Sequence, residues 1–263
     1  MTPLEQEIRR HLARDPANLS LNFQLGEELL RQGDFRAGWF YREFTAKKYL
    51  PAPNDRAPWL WQGENPVGKT ILIFPDEGYG DMIQYFPLVR LLGQAGANVI
   101  FQVPRALHRL FALNQPPGVQ LLVWEDQPDH KDGFTADFYC AVTSLPWLMS
   151  VLLADVPLAV DYLKPAEDDV AAWNHRLGQR DRPCVGVVWQ GNPKHGNDKR
   201  RSIPFAALAP LFKADCRFVS VQVGPGQLGR GRARDCRTVC SIAPLISRIS
   251  PIRRPASSRS TRW

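Results

Sequence analysis

Along the first fifty residues apolar side chains recur every three or four places. Leu4, Ile8 and Leu12 of LEQEIRRHLAR (4–14) share one helix face, DPANLS breaks the helix, and Leu21, Leu25 and Leu29 begin a second stripe. A Gln-Gly-Asp turn at 32–34 precedes Phe35, Trp39, Phe40 and Phe44. The spacing predicts a helix and then a helix–turn–helix hairpin over 21–49. From residue 70 the period shortens. TILIF (70–74), NVIFQV (98–103) and VQLLVW (119–124) are strand-length apolar runs, alternating with helix-period segments at 83–96 and 105–113. The apolar stretch FYCAVTSLPWLM (138–149) continues the alternation, which predicts an α/β fold built on a parallel sheet. A second such unit begins with an acidic-capped helix at 166–179, a strand at 184–191, a helix at 202–213 and a strand at 216–223.

Between the helical start and the first strand, YLPAPNDRAPWLWQGENPVG (49–68) holds four prolines and reads as a linker. The predicted organisation is a helical segment over 1–50, a linker over 51–68 and a first Rossmann-like lobe over 69–165. The beginning of a second lobe follows over 166–226, then a basic tail over 227–263. In the hairpin, Leu25-Gly26, Gly33-Asp34-Phe35 and Ala37 resemble a tetratricopeptide repeat, of which one unit is visible. One repeat cannot bury its own face, so it must pack on something else.

Composition and charge narrow the function classes. The 263 residues are 44% hydrophobic, enough for a packed core. No run of about 18 apolar residues exists, and the N-terminus MTPLEQEIRRHLARDP is charged where a signal peptide is apolar; a cytoplasmic protein with no membrane span is expected. The five widely spaced cysteines suggest neither a disulfide framework nor a zinc site. The net charge is +7, but residues 227–263 carry nine arginines and one acid, leaving the rest of the chain at −1. The body has no basic stripe, and a nucleic-acid partner is not expected.

Two strand-to-helix loops carry candidate chemistry. FPDEGYGDMIQYFP (74–87) places Gly78, Gly80 and Asp81 where a helix begins. It lacks the third glycine of a dinucleotide fingerprint, and no acid follows about 20 residues on, which argues against an oxidoreductase. Spacing leaves two readings open: a turn in which Asp81 caps the helix, or a functional loop. QGNPKHGNDKRRS (190–202) gathers Lys194, Lys199, Arg200 and Arg201 beside Gly191, Asn192 and Ser202, a set suited to a diphosphate, with a solvated charge run as the alternative.

The run WLWQGENPVGKTILIFPDEGYGDMIQYFPLVRLL (59–92), followed by VGVVWQGNPKHGNDKRRSIPFAALAPL (185–211), resembles bacterial tetratricopeptide-repeat proteins with a glycosyltransferase family 9-like domain, themselves similar to heptosyltransferases. The resemblance covers roughly residues 18–225. It implies a GT-B fold of two Rossmann-like lobes, metal-independent, using no cofactor and taking a nucleotide-sugar as donor substrate. It places Asp81 as a general base near the acceptor, within an acceptor-side loop of Glu77, Gly78, Gly80 and Gln84. It assigns Gly191, Asn192, Lys199, Arg201 and Ser202 to the donor phosphates. After VQVGPG (221–226) the family pattern stops, so the second lobe reads as incomplete and catalysis by this chain alone is not expected. Back-translated with TCN serine and CGN arginine codons and read one base earlier, residues 249–263 would give apolar and small residues, so a frameshifted, disordered peptide is expected over 227–263. The competing reading, from a different class, is a protein-interaction module that uses the helical hairpin.

Overall fold

The computed structural model describes residues 1–46, 59–126, 136–152, 154–155, 161–178, 181–222 and 239–241. The chain divides into two compact units, Met1–Ala166 and Glu167–Trp263.

The first unit opens with three helices, α1 (Pro3–Leu12), α2 (Leu19–Arg31) and α3 (Phe35–Ala46). Thr2 caps α1 by accepting from the Glu5 amide, and Pro3 fills the first helical position, where no amide is needed. Asn18 caps α2 through its side chain, and Gly33, at φ +86°, makes the left-handed turn into α3. Ile8, Leu12, Leu25 and Leu29 form the shared core, with Leu21, Ala37 and Tyr41 against them. Leu4, expected on that face, is instead exposed and Glu5 is buried. Glu5 is tolerated inside because Arg9 and Gln32 bond its carboxylate. Two glycines let α2 and α3 approach closely. A Cβ on Gly26 would lie 2.9 Å from the Gly38 carbonyl oxygen, and one on Gly38 would lie 2.6 Å from Leu30 Cγ.

A parallel five-stranded sheet follows, built from β1 (Trp59–Leu60), β2 (Thr70–Phe74), β3 (Asn98–Val103), β4 (Val119–Val123) and β5 (Phe138–Ala141), in the order β1-β5-β2-β3-β4. This is a mixed α/β unit of the kind a Rossmann-like lobe requires. Strand β1 is a departure from the irregular linker expected over 51–68. Trp59 and Leu60 pair with Phe138 and Tyr139 at the sheet edge, and Trp61 is buried in the core. Residues 51–58 of that linker lie outside the described residues. Helix α4 (Tyr79–Gln94) starts four residues earlier than its apolar period suggests, because Gly78 is its N-cap and Asp81 reaches back to the Gly78 amide. It covers the sheet with Met82, Tyr85, Phe86, Val89 and Leu92, and Phe86 meets Phe101 of β3 and Phe111 of α5 (Arg105–Ala112). After β5 the chain makes a 3-10 turn (Val142–Ser144) and the short helix α6 (Leu145–Leu148).

The helical hairpin packs on this sheet unit. Trp39 meets Tyr85 edge-on and its indole donates to the Val151 carbonyl at 3.2 Å, while Phe40 stands against Trp147.

In the second unit, α7 (Glu167–Leu177) carries three acids in its first turn, as its sequence suggests. Strands β6 (Cys184–Val187), β7 (Arg217–Ser220) and β8 (Val239–Ser241) form a parallel sheet in that order. The helix expected over 202–213 does not form. Residues 198–201 make the one-turn helix α8, and Phe205–Leu208 and Leu211–Lys213 are 3-10 turns. Pro210 interrupts a helix over 202–213, since it has no amide for the Ala206 carbonyl one turn back, and Pro204 keeps α8 from running on into that stretch. Strand β8 corrects the expectation that all of 227–263 lacks structure; the rest of that stretch lies outside the described residues. Strand β7 is consequently paired on both sides, with Phe218 and Val219 buried.

Candidate functional site

The order of the first sheet reverses between β2 and β5. From β2 the chain steps outward to β3 and β4, then returns to place β5 on the other side of β2. In open α/β sheets, ligands bind beyond the carboxyl ends of the strands at such a reversal, where the two following loops diverge. The loops here are 75–78, the sequence-predicted candidate, and 142–144.

Asp76 joins them. Its Oδ2 accepts from the Thr143 hydroxyl at 2.5 Å and its Oδ1 from the Thr143 amide at 3.3 Å. Burial pushes the Asp76 carboxyl above its ordinary value; the two Thr143 bonds oppose the shift, and the nearby charge of Asp81 adds to it. A carboxyl shifted by burial at a strand end is a mark of functional sites. Sequence reasoning passed over Asp76, because its importance depends on which strand lies beside β2, and strand order is not written in a local motif.

Asp81 serves the structural reading and leaves room for the functional one. Its Oδ2 accepts from the Gly78 amide at 3.0 Å, so it caps α4 from the third helical position rather than as the N-cap itself. Its Oδ1 makes no hydrogen bond among the described residues. Glu77, Gly78, Gly80 and Gln84 are exposed around it, and a Cβ on Gly80 would meet nothing within 4 Å. Helix α3 supplies a further carboxylate, also missed in the sequence: Glu43 accepts from Ser144 Oγ at 3.2 Å, one residue beyond Thr143. Tyr85, on the next turn of α4 after Asp81, is pushed up to about 12 by burial and stays protonated. Cys140, one strand over, is fully buried and its thiol is raised further, which leaves it unreactive.

The second loop is assembled differently. Gln222, buried beyond β7, accepts from the amides of Trp189 and Gln190 at 3.1 and 3.0 Å and donates to the Gln190 carbonyl at 2.9 Å, fixing where the loop leaves β6. Ser202 accepts from the Gly191 amide at 3.1 Å and donates to Asp198 at 2.7 Å. Arg201 Nε lies 3.6 Å from the same Asp198 oxygen. Asn192 turns the loop by accepting from the Lys194 amide. Lys199 and Arg200 are exposed. Gly191, Ser202 and Arg201 are thus brought together, while Asn192 and Lys199 stand apart from that network.

Among the described residues, no three His, Cys, Asp or Glu side chains form a metal-ligating group, and no helix is long and apolar enough to cross a membrane. Cys140, Cys184 and Cys216 are free thiols.

Comparison with known proteins finds a distant relative. Protein FlbA of Caulobacter vibrioides (strain ATCC 19089 / CIP 103742 / CB 15) is 25% identical over 228 residues, an alignment covering 80% of this chain and 38% of FlbA. The chain therefore spans well under half the length of that protein. No described protein family matches the chain, and no solved structure does.

Proposed function

We propose that the chain is a glycosyltransferase-like protein of the two-lobed GT-B kind, acting on a nucleotide-sugar and a hydroxyl acceptor without a metal. The observation that carries this reading is the reversal of sheet order at the Asp76–Thr143 contact, directly beside a helix whose capping aspartate keeps one carboxylate oxygen uncommitted. In the reaction, Asp81 Oδ1 takes the proton of the acceptor hydroxyl as its oxygen bonds to the anomeric carbon. The bond from that carbon to the phosphate oxygen breaks, and the nucleoside diphosphate leaves with the electron pair. In the second unit, Arg201 and Lys199 are suited to the charge of a diphosphate. The similarity to FlbA spans both units but does not identify a reaction, since FlbA's name states none. The testing experiment is isothermal titration of the full chain with UDP-, GDP- and ADP-sugars, which this reading expects to find one of them bound.

A second reading, a tetratricopeptide-type interaction module without catalysis, is favoured by a groove of about 350 Å³ among α1, α2 and α3. Arg9, Leu12, Asn22, Phe40, Tyr41 and Phe44 are among its lining residues, a mix of aromatic and polar groups suited to a polypeptide segment. Titration separates the two, because an interaction module has no need of a nucleotide. Either reading fits a cytoplasmic protein.

A further inference from the structure

An anion-binding loop is an odd place for a buried carboxylate, yet Asp198 sits at the centre of the 190–202 loop with only 8% of its surface exposed. One carboxylate oxygen and the backbone carbonyl are committed within the loop. Oδ1 accepts from the Ser202 hydroxyl at 2.7 Å and faces Arg201 Nε at 3.6 Å, and its backbone carbonyl accepts from the Ser202 amide at 2.9 Å. The Ser202 hydroxyl hydrogen is therefore spent on Asp198, and the Gly191 amide hydrogen is spent on the Ser202 oxygen at 3.1 Å. Neither Ser202 nor the Gly191 amide can then donate to a phosphate in this arrangement. The Arg201 guanidinium lies flat against Gly191: a Cβ there would fall 2.7 Å from Nη2, 2.9 Å from Nε and 3.0 Å from Cζ. With Nε turned to Asp198, Nη1 and Nη2 make no hydrogen bond among the described residues, and the side chain is 49% exposed.

We propose that Asp198 is a positioning residue that holds Ser202 and Gly191 as a closed structural clasp and aims the guanidinium edge of Arg201 outward as the phosphate-contacting group. This rests on the diphosphate role proposed above for the 190–202 loop, and it revises that role residue by residue. Ser202 and Gly191 build the loop, and Arg201, with exposed Lys199, meets the anion. The pairing resembles what fixes ligands elsewhere, where an outer carboxylate sets the orientation of the group that does the binding. A guanidinium held this way loses less rotamer freedom when it takes a phosphate bidentately.

The sign of the effect makes the test sharp, since a carboxylate near an anion site ought to weaken binding by simple repulsion. Inorganic diphosphate is titrated into the full chain by calorimetry, with thermal melts reporting the folded fraction of each variant. Asp198→Asn should weaken binding by about tenfold, the loss expected when an oriented charged contact is given up. Gly191→Ala, which leaves Asp198 intact but displaces the guanidinium, should weaken it similarly and covers the case in which the Asp198 variant does not fold. In an Arg201→Met background, Asp198→Asn should have no further effect on binding. Tighter binding by Asp198→Asn, or an undiminished effect in the Arg201→Met background, overturns the positioning role while leaving the diphosphate site standing. Absence of diphosphate binding by the wild-type chain removes the site and the positioning role together.

Discussion

Asp76 and Thr143 tie together the two loops between which the first sheet reverses, through a hydroxyl bond of 2.5 Å and an amide bond of 3.3 Å. The carboxyl is raised by burial, and the Thr143 hydroxyl is the largest influence holding that rise in check. Thr143→Val keeps the shape and removes the hydroxyl, so the Asp76 value should move further upward. Carbon-detected NMR titration of the Asp76 side chain reads this directly. Since the folded value lies above the unfolded 3.8, Asp76 binds its proton more tightly in the folded state. The fold should therefore lose stability as pH rises from about 3.8 through the raised value, and Thr143→Val should steepen that loss.

Tyr162 answers a defect that proline creates. Pro87 stands inside α4 and has no amide to offer the Ile83 carbonyl one turn back, and the Tyr162 hydroxyl donates to that carbonyl at 2.9 Å. Arg90 in turn donates to the Tyr162 carbonyl, and Asn114 bonds both the amide and the carbonyl of Lys164. Tyr162→Phe should cost about 1 kcal/mol, the typical net loss when a part-buried hydrogen bond is removed. Urea unfolding measures it. A Pro87→Ala change in the same chain, which restores the helical donor, should recover much of the loss.

The α2–α3 contact depends on absent side chains. Gly26→Ala would ordinarily gain helix propensity, about 1 kcal/mol. Here its Cβ meets Gly38 backbone at 2.9 Å and Arg42 Cγ at 2.7 Å, and backbone cannot step aside as a flexible side chain can. Packing should win, with a net loss of roughly 1–3 kcal/mol in chemical denaturation.

Acid should loosen the docking of α1 on α2. Glu5, bonded first by Arg9, and Glu28, bonded first by Thr2 and then Arg31, both hold carboxyl values below the ordinary 4.5. Groups lowered in the folded state contribute in full above 4.5, and that contribution disappears as pH falls through the lowered values. Methyl signals of Ile8 and Leu12 should broaden or shift between about pH 5 and 3, and Glu28→Gln should flatten the response.

Local periodicity made much of this architecture readable. TILIF, NVIFQV and VQLLV became β2, β3 and β4 because short apolar runs bounded by turn residues have few alternatives. The amide-donor cost of Pro210 was legible too, but the apolar period across 202–213 masked it. Other features needed the third dimension. Trp59 and Leu60 are strand only because β5 offers an edge, and Asp76 and Glu43 become site residues only once β5 is beside β2 and α3 is laid over the following loop. Asp198 was visible as one acid within a basic run. Its role emerges from the hydroxyl of Ser202 pointing to it, which no spacing rule foretells.

The central claim is that this chain binds a nucleotide-sugar through the 190–202 loop. The most direct measurement is calorimetric titration of the full chain with UDP-, GDP- and ADP-sugars, repeated with Arg201→Met and Asp81→Asn. The account predicts binding of one donor, lost or strongly weakened in Arg201→Met and retained in Asp81→Asn, because the Asp81 carboxylate is proposed to act on the acceptor and not on the donor. No binding of any donor, or binding indifferent to Arg201, would contradict it.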